Sequence, residues 1–242
     1  IETENGCIDQ AFILAGGFGT RMRPLTDDKP KPMVEVLGQP IIGHTLDHLK
    51  AAGIRNVVVN ACYKAEVLTS YLQTRTDLHI QINVQDKALD TGGDLMQAAH
   101  LLPQDKAFFV INGDAFWEND KLLQDIAKDW NGDTQDIRLF LQDIQAMTRG
   151  GKGDYKISED HIPQRILEKT GTHMYAGIHI LHPRILTQAP SEEFTLLHFF
   201  DAAEAEGRLS AYPHDGVWHH LSTPEDVADL EALRGKGVSA HG

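Results

Sequence analysis

"AFILAGGFGTRMRPLTDDKPKP", residues 11–32, joins an apolar run of strand type to a turn holding three glycines, two arginines, two lysines and three prolines. A strand that opens straight onto a glycine turn exposes backbone N–H groups at its carboxyl end, where doubly wound α/β sheets hold phosphates. Glycine gives access because no side chain shields those groups. Elsewhere the chain is acidic: 22 lysines and arginines face 35 aspartates and glutamates, for a formal net charge of -13. Nucleic acid and anionic membrane would be repelled by most of such a surface. The local cations therefore read as a pocket for a small anion.

Working outward, "NVVVN" (56–60), "HIQINVQ" (79–85) and "AFFVIN" (107–112) have strand character, and helix-period segments lie between them. "IIGHTLDHLKAAG" puts Ile42, Leu46 and Leu49 on one face and stops at Gly53, and "KAEVLTSYLQ" does the same with Leu68, Tyr71 and Leu72. Strands alternating with helices predict an α/β fold with a doubly wound, mostly parallel, Rossmann-like sheet. After "LFLQD" (139–143) a glycine-rich loop leads to shorter strands near "RILEK" (165–169) and "MYAGIHILH" (174–182), the pattern of a small added lobe. Two helices close the chain, "TLLHFFDAAEAEG" and "TPEDVADLEALRG". In the second, Thr223 can cap, Pro224 takes the first helical position and Asp226 completes a capping pattern.

The 242 residues suit one domain, residues 1–242, with a nucleotide half over about 8–135, a second half over about 136–230 and a loose tail at 235–242. The first ten residues carry no apolar core of signal type, and no segment approaches the roughly 20 apolar residues of a membrane span. Two cysteines, Cys7 and Cys62, make neither a zinc motif nor a disulfide framework. A cytoplasmic protein is expected. No short-period repeat announces a β-helix.

Two familiar phosphate loops are excluded by spacing: the third dinucleotide glycine would fall at Met22, and no G-x-x-x-x-G-K-[ST] spans Gly16 to Lys31. What remains is a glycine turn followed by Arg21 and, past a proline-stiffened loop, Lys31. Asp114 follows "AFFVIN" at the carboxyl end of a predicted strand, where a carboxylate suits Mg²⁺ or simply makes a turn. His44 and His48 share a helix face, but without an H-E-x-x-H pattern they read as surface or packing residues. Phe116 and Trp117 can stack on a ligand or fill the core.

The stretch "LAGGFGTRMRPLT" (14–26) with "PKP" (30–32) resembles the signature of the sugar-1-phosphate nucleotidyltransferases, the nucleotide-sugar pyrophosphorylases. The resemblance continues through "LDTGGDL" (89–95), "INGDAFW" (111–117), "GKGDY" (151–155), "EK" (168–169), "MYAGIHIL" (174–181) and "GVWHHLSTPED" (216–226). It comes nearest to the small enzymes of the N-acetylmuramate-1-phosphate uridylyltransferase type. It implies a nucleotide-diphospho-sugar transferase fold with a sugar-binding lobe, a nucleoside triphosphate and a sugar 1-phosphate as partners, and no nucleic acid or membrane. UTP with N-acetylmuramate 1-phosphate is the sharper expectation. A guanylyltransferase for mannose or heptose 1-phosphate is the rival, and an inactive nucleotide-sugar binding protein is the rival of another class.

By the same resemblance Arg21 contacts the triphosphate, Lys31 the α-phosphate and Lys169 the sugar phosphate. Leu14, Ala15, Gly16, Gly17, Gly19 and Thr20, with Gln85, Asp90, Thr91 and Gly92, would frame the nucleotide. Asn112, Gly153, Asp154, Glu168 and Gly177 would face the sugar, and Asp114 and His220 the metal. His220 stands where many relatives carry aspartate. Imidazole suits Mn²⁺ or Co²⁺ better than Mg²⁺, so all three ions remain open. Ser222 and Asp94 also depart from the usual pattern, which is the support for an inactive protein.

Overall fold

A computed structural model of the protein describes residues 1–3, 6–147, 150–190 and 192–237, with side chains as far as Arg234. Nine strands form its main sheet. They are β1 (Gln10–Ala15), β2 (Asn56–Ala61), β3 (His79–Val84), β4 (Phe108–Asn112), β5 (Ile137–Asp143), β6 (Tyr155–Ile157), β7 (Pro163–Arg165), β8 (His173–Leu181) and β9 (Leu209–His214). The helices are α1 (Ile41–Ala51), α2 (Ala65–Leu72), α3 (Asp90–Ala98), α4 (Leu122–Ala127), α5 (Leu197–Ala205) and α6 (Pro224–Gly237).

Hydrogen bonding orders the strands β3-β2-β1-β4-β8-β5-β9, and the β6–β7 hairpin joins the start of β8 through Tyr155 and His173. The pairs β3–β2, β2–β1, β1–β4 and β5–β9 are parallel. Only β8 reverses within this seven-strand path, antiparallel to β4 and β5. The expected Rossmann-like, mostly parallel sheet is the one observed. Sequence order reverses between β1 and β4, which puts the switch point at the end of the strand that opens onto the glycine turn.

Side chains alternate across a strand, and here both faces are buried. Ile13, Val59, Phe109 and Ile111 point into one core with Leu46 and Leu49 of α1 and Leu68 and Leu72 of α2. Their neighbours Phe12, Val58, Phe108 and Val110 enter the other, with Leu95 of α3 and Phe199 and Phe200 of α5. Helix ends follow from sequence. Past α1, Gly53 takes φ +82°, so its N–H reaches Lys50 O at 3.0 Å and Ile54 N–H reaches Leu49 O at 2.9 Å, capping two carbonyls. At the start of α6, Thr223 N–H donates to Asp226 Oδ2 at 2.8 Å and Asp226 N–H to Thr223 Oγ1 at 3.3 Å, the reciprocal cap expected from the sequence.

A third, smaller apolar cluster joins Met22, Val34, Val36, Ile41 and Phe116 to Leu221, Val227 and Leu230 around α6. Two expectations change. The strand expected near "RILEK" is β7, which reaches only Arg165, and residues 167–169 turn, with Lys169 at φ +53°. The expected tail at 235–242 is helical through Gly237, and residues 238–242 lie outside the described residues.

Candidate active site

β1 delivers the chain to the cavity, and two glycines then set the geometry. Gly19 has φ +59° and opens a single turn, Thr20–Met22. A Cβ there would stand 3.0 Å from Lys31 Cβ and 3.2 Å from Thr26 Cγ2, so only glycine lets the Lys31 stem pack against the loop without displacing it. Lys31 begins a second single turn held between Pro30 and Pro32 and is 8% exposed. Gly113 brings β4 against β1: its N–H donates to Leu14 O at 2.7 Å, and a Cβ would meet that oxygen at 2.7 Å. The next residue, Asp114, thereby faces Lys31, with Nζ and Oδ2 2.7 Å apart.

These residues wall a cavity of about 360 Å³ at the carboxyl ends of β1 and β4. The glycine loop lines it with residues 14–17 and 19–21, together with Lys31, and so do Ala88, Asp90 and Thr91. Asn112, Asp114, Asp94 and Ser222 also line it. Arg21, Lys31, Leu14, Ala15, Gly16, Gly17, Gly19, Thr20, Asp90, Thr91, Asn112 and Asp114 are thus brought together as the sequence reading grouped them. Asp90 has φ +61° and its Oδ1 accepts from Thr91 N–H, while Thr91 Oγ1 accepts from Leu196 N–H at 2.9 Å.

Other expected residues lie elsewhere. Gln85 is 5% exposed and points behind the cavity, donating to Asp94 O at 3.3 Å. Gly92 serves packing: its N–H donates to Phe194 O at 2.8 Å, and a Cβ would stand 2.5 Å from the Phe194 ring. Gly153 crosses the backbone of Gly171, whose oxygen would lie 2.0 Å from an added Cβ. Gly177, at φ +82° where β8 shifts register against β5, lets Asn112 approach to 3.0 Å of the Cβ position. Asn112 Oδ1 is buried and takes no hydrogen bond among the described residues.

Asp154 accepts from Tyr175 N–H at 3.1 Å, and burial pushes its carboxyl up while Lys169 and Arg165 pull it down. Glu168 and Lys169 are exposed on the turn after β7, outside the cavity wall. His220 also misses that wall and lines a neighbouring cavity of about 90 Å³ with Trp218 and Asp226. Burial holds its imidazole below the ordinary value, against the pull of Asp114 and with help from Lys31. Ser222 lines the main cavity instead, its Oγ buried and without a hydrogen bond among the described residues. Phe116 and Trp117 are 2% and 4% exposed, so both fill the core. His44 and His48 bond to backbone, at 2.7 Å to Val36 O and 2.9 Å to Trp117 O.

Sequence reasoning missed Asn60. It is fully buried at the end of β2 and accepts from Ala15 N–H at 2.8 Å while donating to Asp94 Oδ2 at 3.1 Å. The available signal was an amide closing an otherwise apolar parallel strand, "NVVVNA".

A doubly wound sheet with a glycine-and-cation cavity at its switch point defines a nucleotide-handling α/β enzyme. The chain belongs to the nucleotidyl transferase family, whose model matches residues 10–226, and it is an enzyme of the sugar-1-phosphate nucleotidyltransferase type. It is 33% identical over 231 residues to the N-acetylmuramate alpha-1-phosphate uridylyltransferase of Caulobacter vibrioides, covering 92% of this chain and 95% of that one. It is 27% identical to a mannose-1-phosphate guanyltransferase of Hypocrea jecorina, over 94% of this chain and 66% of that longer protein. Among solved structures, the inositol-1-phosphate CTP transferase of T. maritima superposes with a TM-score of 0.76 at 16% identity, covering 97% of this chain and 99% of that one. HddC of Yersinia pseudotuberculosis, complexed with GMP-PN, gives 0.73 at 22% identity, covering 94% and 100%. At those identities the two structures speak for the fold.

Proposed function

We propose that the enzyme condenses UTP with N-acetylmuramate 1-phosphate to give the UDP-sugar and pyrophosphate. The observation that carries this is the end-to-end match to the Caulobacter uridylyltransferase, since the chain spans only 66% of the Hypocrea guanyltransferase. In the reaction a sugar-phosphate oxygen bonds to the α-phosphorus and the bond from that phosphorus to the β-phosphate bridging oxygen breaks. The phosphate nucleophile is already ionised at neutral pH, so no strong base is needed. Catalysis then rests on positioning and on cations set against anionic oxygens.

Arg21 offers a rigid fork to the departing pyrophosphate, and Lys31 a mobile charge to the α-phosphate. Lys169, Glu168, Asp154 and Asn112 are assigned to the sugar phosphate and its hydroxyls. The Asn112 amide oxygen, buried without a partner, suits a hydroxyl donor. The donor set also fits a divalent ion. Asp114 is a hard oxygen ligand on the cavity wall, and Mg²⁺ is commonly held by one or two carboxylates plus substrate phosphates. Among the described residues no group of three or more His, Cys, Asp or Glu could hold a metal, so phosphate oxygens would complete the shell with Asp114 and a neutral His220. Such an ion supplies charge neutralisation to the phosphates.

A second reading, a guanylyltransferase acting on mannose or heptose 1-phosphate, is favoured by the 27% identity to the Hypocrea enzyme along 94% of this chain. An inactive binding protein is disfavoured by the presence of Arg21, Lys31 and Asp114 in the lining of one cavity. No helix among the described residues is long and apolar enough to cross a membrane, and we read the enzyme as cytoplasmic. Pyrophosphate release with UTP, GTP, CTP or dTTP against a panel of sugar 1-phosphates tests the reading. Release confined to UTP and N-acetylmuramate 1-phosphate is expected; release only with GTP and mannose 1-phosphate moves the assignment to the second reading.

A further inference from the structure

Asp94 lines the cavity with Arg21, Lys31, Asp90 and Asp114, and it is the most deeply buried of the three acids at 5% exposed. No cation pairs with it among the described residues, and burial reinforced by Asp90 pushes its carboxyl above the usual range. A buried carboxylate without a counter-charge is costly, and one facing phosphates would repel them. Its position must repay that in another way. Oδ2 lies 3.1 Å from where a Gly16 Cβ would stand, directly behind the glycine turn.

The hydrogen bonds supply the reason. Ala15 N–H donates to Asn60 Oδ1 at 2.8 Å, Asn60 Nδ2 donates to Asp94 Oδ2 at 3.1 Å, and Leu89 N–H donates to Asp94 Oδ1 at 2.8 Å. This relay runs from Ala15, in the glycine loop of the cavity lining, to Leu89, which lies between the lining residues Ala88 and Asp90. A buried chain of satisfied hydrogen bonds rigidifies what it joins. The relay therefore ties together two segments that line one pocket, and a few precisely placed polar groups are what fix a ligand's orientation there.

We propose that Asn60 and Asp94 are positioning residues that fix the width of the nucleobase slot and so set its affinity and selectivity for the triphosphate. The inference rests on the assignment of this cavity to a nucleoside triphosphate. It makes a specific demand on atom types. Asp94→Asn leaves its new NH₂ facing a donor, either Asn60 Nδ2 or Leu89 N–H, and Asn60→Asp sets two carboxylates together. Combining the two substitutions restores every bond of the relay. The carboxylate introduced at position 60 accepts from Ala15 N–H and from the amide introduced at position 94, and the oxygen of that amide accepts from Leu89 N–H. Only the long 3.4 Å bond from Asn60 to Gln85 Oε1 is forfeited.

The test measures dissociation constants of UTP and of GTP by titration calorimetry, without sugar phosphate, on wild type, each single variant and the swapped double variant. All are held at a temperature where circular dichroism shows them folded. Each single variant should bind the preferred triphosphate about tenfold more weakly, the scale of one lost buried hydrogen bond, and discriminate less between the two. The double variant should return to within about threefold of wild type. Folded single variants that bind like wild type, or a folded double variant no better than they are, would overturn the proposal. If a single variant does not fold, the folded double variant alone decides by the same criterion. Wild-type protein that binds neither nucleotide removes the triphosphate assignment, and the proposal with it.

Discussion

Lys31 Nζ stands 2.7 Å from Asp114 Oδ2, so the cation and the carboxylate assigned to opposite sides of the chemistry hold each other. On the proposed assignment a bound triphosphate would part them, with Lys31 holding phosphate and Asp114 available to hold a divalent ion. Lys31→Ala and Asp114→Ala should each cut turnover by roughly 10²–10³-fold or more, the loss typical of a charge-stabilising donor, while the circular dichroism spectrum stays that of wild type. Pyrophosphate release is the readout. Near-normal turnover in either variant would remove this wall from the chemistry.

Gly113→Ala places a methyl 2.7 Å from Leu14 O and 2.9 Å from Pro32 Cγ, and both belong to segments that present the site. The strands have to part, which costs about 1–3 kcal/mol by the usual toll of overpacking. Thermal unfolding should show that loss. Turnover measured well below the melting temperature should fall as well, because Asp114 moves with its neighbour; an alanine variant with full turnover would show that Asp114 tolerates the shift.

His220→Asp exchanges a neutral imidazole for a hard oxygen ligand and should move the preferred ion from Mn²⁺ or Co²⁺ toward Mg²⁺. Initial rates across the three ions measure it. An unchanged profile would place His220 outside the ion's coordination and leave Asp114 as its protein ligand.

His179 is fully buried, bonded through Nδ1 to the Tyr175 hydroxyl at 2.8 Å, and burial pushes its imidazole from the ordinary 6.5 down to about 3. Between those values the unfolded chain takes up a proton that the folded one refuses, so stability falls as pH drops from 6.5 toward 3. His173, His182, His214 and His219 are lowered by burial too and act in the same direction. Asp94 and Asp154, raised by burial, oppose them in the acid range, since folding favours their protonated forms. Melting temperature should decline from about pH 6.5 to about pH 5, and His179→Gln should flatten that decline. An unaltered slope would assign it to the other histidines.

Legibility in the sequence followed the range of the interactions. The strands of the first half and α1, α2, α5 and α6 were readable because apolar period and local caps such as Gly53 and Thr223 act within a few residues. The glycine-and-cation part of the cavity lining was readable for the same reason: its glycines, Arg21 and Lys31 are near neighbours. Gly92 misled because a segment about a hundred residues away, at Phe194, is what requires glycine there. The turn at Lys169 was hidden because a left-handed lysine has no local signature. Asn60 and Asp94 meet only after β2 and α3 are assembled.

The third apolar cluster has a further consequence. Met22 follows Arg21, Val34 lies three residues past Lys31, Phe116 two past Asp114 and Leu221 one past His220, and all four anchor in the same small core. Polar groups mounted on separate supports would drift independently, and their errors would accumulate. Mounted on a shared reference, they move as a set when α6 or the loops breathe, and their mutual distances survive the motion. The tolerance of the site is then set by the stiffness of one compact patch rather than by that of the whole sheet.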